Sequence, residues 1–193
     1  MKGTEREMEH RGSVVLRTER LLLRPFRADD AQQAYENWLS DPEVAKYLTW
    51  QPYESVELAR AVLAAWEKGS ANSDVYHWAI VLDGEVVGDI SVVSMNEKQE
   101  SCQTGYCLSR KHWGKGIMTE AYAEVLRFLF EEVGVYRVAA SHAAQNVGSG
   151  KVMEKCGLAF EGVARKALRL HASEERADLV WRAILREDYF ARK

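Results

Sequence analysis

The hydrophobic positions of this chain change their spacing several times, and each change marks an element. Val14-Val15-Leu16 and Leu21-Leu22-Leu23, closed by Pro25, predict one opening strand over 14–26, bent near Thr18. Residues 28–39 switch to a helical spacing, with Asp29 and Asp30 in the first turn. Asp41-Pro42-Glu43 starts a second short helix with proline in its first turn, and Pro52 interrupts the chain after it. Residues 55–68 form a third helix, with Ser55 as its cap and Gly69 past its end. From Val75 to Leu82 the period becomes two, placing Tyr76, Trp78, Ile80 and Leu82 on one face. Asp83-Gly84 is a two-residue hairpin turn, so Glu85 to Val93 returns as a strand. A polar turn over 96–101 leads into a third strand ending at Leu108.

The second half repeats the alternation of types. After Gly116 a helix carries a polar stripe at Glu120, Glu124, Arg127 and Glu131 and an apolar one at Met118, Tyr122, Val125 and Leu129. Gly134 stops it, and 135–141 is a strand. Strand, helix and strand in that order imply a parallel crossover. A short helix over 146–156 closes at Gly157, and 158–163 and 179–185 supply the last strands. The expected fold is mixed α/β: a twisted, mostly antiparallel sheet of six to seven strands, one parallel β-α-β unit and flanking helices. Residues 13–193 read as a single domain and residues 1–12, charged and without an apolar centre, as a loose tail rather than a signal peptide.

Composition narrows the class. With 193 residues, 47% hydrophobic and 28% charged, the chain can bury a sizeable core. A formal charge of −3, with basic residues scattered, gives no footprint for nucleic acid. No apolar run reaches membrane-spanning length, so no membrane partner is expected. Cys102, Cys107 and Cys156 suit neither a disulfide framework nor a zinc site, which points to a reducing cytoplasm and no metal. Cys102 and Cys107, five apart, should face opposite sides of one strand.

The chemistry gathers in one stretch, from Gly105-Tyr106-Cys107-Leu108 through Ser109-Arg110-Lys111-His112-Trp113 to Gly114-Lys115-Gly116-Ile117-Met118-Thr119. A strand runs into a loop with two glycines, and a long helix follows at once. The first N–H groups of that helix lack intrahelical partners and sit at the positive end of its dipole, which makes a turn that can cradle phosphate. A tight strand-to-helix turn with no ligand is the plainer alternative. A Walker A loop is excluded, because Ile117 and Met118 stand where it needs Lys and Ser or Thr.

With these residues in place the chain resembles the GNAT superfamily of N-acetyltransferases, in the branch that acetylates N-terminal alanine or serine of ribosomal proteins. Trp113-Gly114-Lys115-Gly116-Ile117-Met118-Thr119-Glu120-Ala121 is similar to the family's acetyl-CoA pyrophosphate loop and helix. Asn146-Val147-Gly148-Ser149, continuing to Glu154-Lys155-Cys156-Gly157-Leu158, is similar to its second cofactor motif. Arg20-Leu21-Leu22-Leu23-Arg24-Pro25-Phe26 and Asp41-Pro42-Glu43-Val44 are similar to the branch's opening. Lys111 departs from the wider family's Gln or Arg but keeps a positive charge.

The resemblance implies acetyl-CoA as cosubstrate, without a metal. Gly114, Lys115, Gly116, Ile117, Met118 and Thr119, with Lys111, would hold the diphosphate. Backbone groups of Cys107, Leu108 and Ser109 would pair with the pantetheine arm as if it were an added strand. Asn146 would bond the pantetheine, unless it is only a helix cap. Ser149 would protonate the departing thiolate, unless it is only small enough for close packing. The N–H of Leu108 would meet the oxyanion. The base is open. Gln103-Thr104 stands where the branch has Glu, which leaves Glu100 and His142 as candidates, the latter acting through water. Tyr35, Trp38, Tyr47, Trp50, Tyr53 and Trp78 are available to the acceptor side, while His112 and Trp113 would brace the loop.

An α-amine, with pKa about 7.7–8.0, is roughly a tenth neutral at pH 7, whereas a lysine side chain at about 10.4 is neutral at less than about one part in a thousand. A site without an evident carboxylate base therefore suits a protein N-terminus. Two other readings stay open: an acetyltransferase of small amines such as polyamines, amino acids or antibiotics, and a non-catalytic acyl-CoA-binding module. The resemblance leaves a homodimer open as well.

Overall fold

The computed structural model describes residues 8–170 and 175–193. Its centre is an eight-stranded sheet in the order β1-β2-β3-β4-β5-β6-β8-β7, one or two strands more than expected. The difference begins at the opening. Residues 14–26 are not one bent strand but two, β1 (Leu16–Arg17) and β2 (Leu21–Arg24), paired antiparallel. Thr18 makes the turn by accepting the Leu21 N–H on its hydroxyl at 2.9 Å. Residues 8–12 also depart from the tail reading: the Glu9 N–H reaches the Val133 carbonyl at 2.9 Å, and Gly12 reaches Ser73 at 2.7 Å. Residues 1–7 of that tail lie outside the described residues.

Residues 28–39 are continuously helical, as α1 (Ala31–Ala34) between a 3-10 turn (Ala28–Asp30) and a π turn (Tyr35–Leu39). Helix α2 (Pro42–Ala45) is capped by the Asp41 carboxylate, and α3 (Val56–Gly69) by the Ser55 hydroxyl. The meander β3 (His77–Leu82), β4 (Glu85–Asn96) and β5 (Ser101–Leu108) is antiparallel, and its first hairpin turns on Asp83 and Gly84, both at positive φ. Helix α4 (Ile117–Phe128) crosses to β6 (Arg137–Ala143), which pairs parallel with β5. Helix α5 (Val147–Lys155), β7 (Ala159–Arg169), β8 (Arg176–Leu185) and α6 (Arg186–Ala191) complete the described chain.

The sheet separates two cores. On one face α4 buries Ile117, Met118, Tyr122, Val125 and Phe128 against Leu23, Trp78, Ile80 and Ile90. On the other, α1 and α3 bury Trp38 and Leu63 against Ala79, Val81 and Val86. The alternation of β5 divides its cysteines between them, Cys102 in the first and Cys107 against the second. Burying each large side chain contributes about 1.5–3 kcal/mol, so this double packing fixes where β5 ends and α4 begins. The site depends on that junction.

Candidate active site

Strands β5 and β6 are paired only at their starts, from Ser101 with Arg137 to Thr104 with Ala140. Beyond that they part: Gly105–Leu108 stays on β4, while Ser141–Ala143 stays on β8. Between them opens a cleft of about 650 Å³, reaching from the Gly114–Thr119 turn to Ser149.

The backbone of β5 presents only alternate residues to this gap. Ser109 gives its N–H to the Val87 carbonyl at 2.8 Å, so Ser109 and, two residues back, Cys107 turn their polar groups toward β4. Tyr106 and Leu108 therefore point theirs toward β6, past the end of the pairing. The Trp113 indole N–H confirms the direction by donating to the Leu108 carbonyl at 2.8 Å. Of the three residues expected to offer backbone groups here, Leu108 does. Cys107 and Ser109 do not, because the pleat assigns their edge to β4, and Tyr106 takes their place.

Gly114 and Gly116 have φ of 74° and 78°, a region costly for residues with a Cβ. An added Cβ on Gly114 would meet nothing within 4 Å, so that glycine is needed for its conformation and not for room. Gly116 is the N-cap of α4, and no side chain caps the helix. The first intrahelical bond runs from Glu120 to Gly116, leaving the N–H groups of Ile117, Met118 and Thr119 unspent where they line the cleft.

The loop is tied down from the far end of the sequence. Arg20 Nε donates to Glu120 Oε2 at 2.6 Å, Arg20 N–H and the Thr18 hydroxyl to Oε1 at 3.0 and 2.5 Å, and Arg20 Nη1 to the Lys115 carbonyl at 3.3 Å. Partial burial works to raise the Glu120 carboxyl, but the Thr18 and Arg20 donors outweigh it and hold the carboxyl below its ordinary value. Lys111 is not at the cleft, since its ammonium turns to Asn37 Oδ1 at 3.4 Å. Lys115 lies outside the lining too. The cations that do line it are Lys151 and Lys155, on one face of α5. Their i, i+4 spacing was the signal in the sequence.

Asn146 caps α5, accepting the Ser149 N–H at 3.2 Å on Oδ1, which leaves its amide NH2 for the cleft it lines. Ser149 Oγ lies 3.0 Å from the Tyr106 phenol oxygen, and the Ser149 carbonyl is also 3.0 Å away. Burial pushes the Tyr106 phenol well above its ordinary value, an effect that the Ser149 bond only partly offsets. His142 lies within β6 rather than after it. Its Nδ1 donates to the Ala143 carbonyl at 2.8 Å, which leaves the lone pair on Nε2, a buried atom with no hydrogen-bond partner. The ring presses on α5, where a Cβ on Gly150 would come within 2.8 Å of Nε2.

Glu100 is not brought into this group. It ends the 3-10 turn Glu97–Gln99 before β5, one strand length from Leu108, and its carboxylate lies 3.9 Å from Arg186. Among the described residues, the one carboxylate in the lining is Glu43. Of the aromatic residues expected near the acceptor, Tyr47 lines the cleft, Trp38 and Trp78 are wholly buried, and Tyr35, Trp50 and Tyr53 pack on the second core. His112 reaches the cleft, and Trp113 braces the loop as described. Among the described residues no group of three or more His, Cys, Asp or Glu is arranged to hold a metal ion. No described helix is long and apolar enough to cross a membrane.

Residues 20–159 match the family model of the acetyltransferase (GNAT) domain. An uncharacterized N-acetyltransferase of Bacillus licheniformis is 30% identical over 153 residues, covering 78% of this chain and 85% of that protein. The alanine N-acetyltransferase of ribosomal protein uS5 from Escherichia coli is 31% identical over a shorter stretch of 68 residues, 35% of each chain. Among solved structures, a GNAT-family acetyltransferase from Bacillus anthracis superposes with a TM-score of 0.77 at 27% identity, covering 90% of this chain and 99% of that one. The matched segment runs from the Arg20 clamp through the unspent helix start and α5 to the first residue of β7, and the chain belongs to the GNAT acetyltransferases as an N-acetyltransferase.

Proposed function

We propose that the protein transfers the acetyl group of acetyl-CoA to the N-terminal α-amine of a protein, such as a ribosomal protein, by direct attack in a ternary complex. The observation that carries this reading is the continuity of the cleft. It joins an anion-seeking helix start, a strand edge with free amide groups and a hydroxyl pair, in the order that diphosphate, pantetheine and thioester follow along CoA. The diphosphate would meet the N–H groups of Ile117, Met118 and Thr119, with Gly114 and Gly116 allowing its approach and Lys151 and Lys155 supplying charge. The pantetheine amides would pair with the backbone of Tyr106 as an added strand, with the Asn146 amide beside them. The Leu108 N–H would stabilise the oxyanion of the tetrahedral intermediate, and Ser149 would face the sulfur.

Direct attack is favoured over an acetyl-cysteine intermediate by the state of the thiols. Burial drives Cys107 well above its ordinary value, with the Asp89 charge adding to the effect, and pushes Cys156 up to about 12. Neither is a ready thiolate at neutral pH. An α-amine acceptor is supported by the scarcity of carboxylates among the described residues that line the cleft, since an amine already about a tenth neutral at pH 7 asks little of a base. His142 Nε2, buried and without a hydrogen-bond partner, is the candidate to take the proton. The uS5 alanine acetyltransferase among the relatives supports the same acceptor class.

The test is thiol release from acetyl-CoA with N-terminal peptides, lysine peptides and small amines side by side. The expected result is turnover with the free α-amino peptides at least tenfold above the rest. Preference for a lysine side chain or for a polyamine, amino acid or antibiotic amine would overturn the acceptor assignment. Tight CoA binding with no turnover on any amine would overturn the enzyme itself.

A further inference from the structure

Tyr106 and Ser149 share a proton inventory that limits what each can do. The phenol has one proton and two acceptors at equal distance, the Ser149 carbonyl and Ser149 Oγ, both 3.0 Å away. If the phenol bonds to the carbonyl, the serine hydroxyl has Tyr106 Oη as its nearest acceptor and turns away from the cleft. If the phenol bonds to Oγ, the serine proton is displaced toward the cleft that both residues line. The two arrangements differ by small rotations of two hydroxyls. An anion in the cleft selects the second.

We propose that Tyr106 is a positioning residue that turns the Ser149 hydroxyl onto the thioester sulfur, so that a chain from Tyr106 to Ser149 to sulfur steadies the departing thiolate by hydrogen bonds alone. The inference rests on acetyl transfer from a thioester bound in this cleft. It changes the part Ser149 plays. A thiol has pKa about 8.5, and an aliphatic hydroxyl is a far weaker acid, so a thiolate cannot strip Ser149 of its proton and leave an alkoxide. Tyr106 cannot make good that proton, because burial makes its phenol a weaker acid than usual. In the balanced step the amine nitrogen bonds to the carbonyl carbon, the C–S bond breaks and its electron pair stays on sulfur. The proton lost by the amine goes to the base or to sulfur. Both hydroxyls end the step as they began it.

The site is built to hold this pair. The Tyr106 ring leans on Tyr122 at 5.4 Å between centroids, and the Tyr122 hydroxyl is itself fixed by Thr104 Oγ1 at 2.6 Å. Ser149 is held by its N–H on the Asn146 side chain, in the first turn of α5. Neither residue needs to move for the chain to form.

The experiment is a double-mutant cycle of Tyr106→Phe and Ser149→Ala on the acetylation reaction, with KM and kcat separated. In Ser149→Ala the phenol keeps its bond to the residue-149 carbonyl, so any purely structural work of Tyr106 survives in that background. The expected results are a loss of kcat of about tenfold for each single variant, the scale of one hydrogen bond to a charged atom, with the KM for acetyl-CoA changed less than about twofold. Tyr106→Phe should then cost less than about twofold when Ser149 is already Ala. Equal losses in both backgrounds, or a loss confined to KM, would overturn the positioning role. An unchanged kcat in Ser149→Ala would instead remove Ser149 from the reaction, which is a failure of the reading beneath it. A basic limb in the kcat profile of the wild type that disappears in Tyr106→Phe would show proton transfer through the phenol and overturn the bond-only step.

Discussion

Arg20 holds Glu120 by Nε and Nη2, both 2.6 Å from Oε2, and so fastens the turn between β1 and β2 to the first turn of α4. The same guanidinium also reaches the Lys115 carbonyl inside the glycine loop. The loop's shape is therefore set partly by residues a hundred positions away. Glu120→Gln keeps the shape but loses the charge, and is expected to cost about 1 kcal/mol of stability and to raise the KM for acetyl-CoA several-fold. The pH dependence has a definite sign. Because the carboxyl is held below its ordinary value of 4.5, its contribution is complete above that value and is lost as the pH falls through the lowered folded one. Urea denaturation at pH 7 and at pH 3 should show the gap between wild type and variant closing on acidification.

Gly114 and Gly116 separate conformation from space. Gly114→Ala introduces no contact, so its whole effect is the left-handed backbone, about 1 kcal/mol or more. Gly116→Ala adds a Cβ 3.6 Å from Arg20 Nη2, an ordinary contact, and should cost about the same in stability. Both should weaken CoA binding beyond that loss, by shifting the N–H groups proposed to converge on the diphosphate. Isothermal titration with CoA, beside thermal melts, checks the pair.

Gly150→Ala tests the seat of His142. The new methyl would lie 2.8 Å from Nε2 and 2.9 Å from Cε1, closer than real contacts allow, so the imidazole must swing out of its place. About 1–3 kcal/mol of stability should be lost through overpacking. If His142 relays the acceptor's proton, kcat/KM should fall with it and should resemble that of His142→Ala. A Gly150→Ala variant as active as the wild type would exclude the imidazole from the reaction.

Trp113→Phe removes the donor that occupies the Leu108 carbonyl while leaving an aromatic ring at a half-exposed position. Loss of one hydrogen bond near the surface predicts about 0.5–1.5 kcal/mol of destabilisation. The freed carbonyl also loosens the end of β5, so kcat should fall more than stability does. Steady-state kinetics at a temperature well below the melting transition separates the two.

Much of the fold was legible because periodicity and turn chemistry agree. Asp83-Gly84, the Ser55 and Asp41 caps and the stripe of α4 all stand where their residues predict. The opening pair of strands was missed because the turn is made by a side chain, Thr18, with no glycine or proline to mark it. The site divides in the same way. Helix start and glycines are local and could be read directly. Which backbone groups of β5 face the gap depends on register with β4, and Tyr106 meets Ser149 only through the crossover, so neither had a local signal. Lys111 and Glu100 carry the right charge in the wrong place, because their partners Asn37 and Arg186 come from distant elements.

The parting of β5 from β6 leaves an unfinished edge in the middle of a sheet instead of at its rim. An open rim invites any extended chain to add itself, which is how strands recruit partners and aggregates alike. Here the two walls are joined at Thr104 and Ala140, so the opening is a wedge with a closed end. A polypeptide would have to bring side chains on alternating faces into that wedge. The pantetheine arm carries amides along a slender backbone with few branches. With the cosubstrate bound as proposed, the adhesiveness of an edge strand would be kept for that arm and denied to the protein's neighbours.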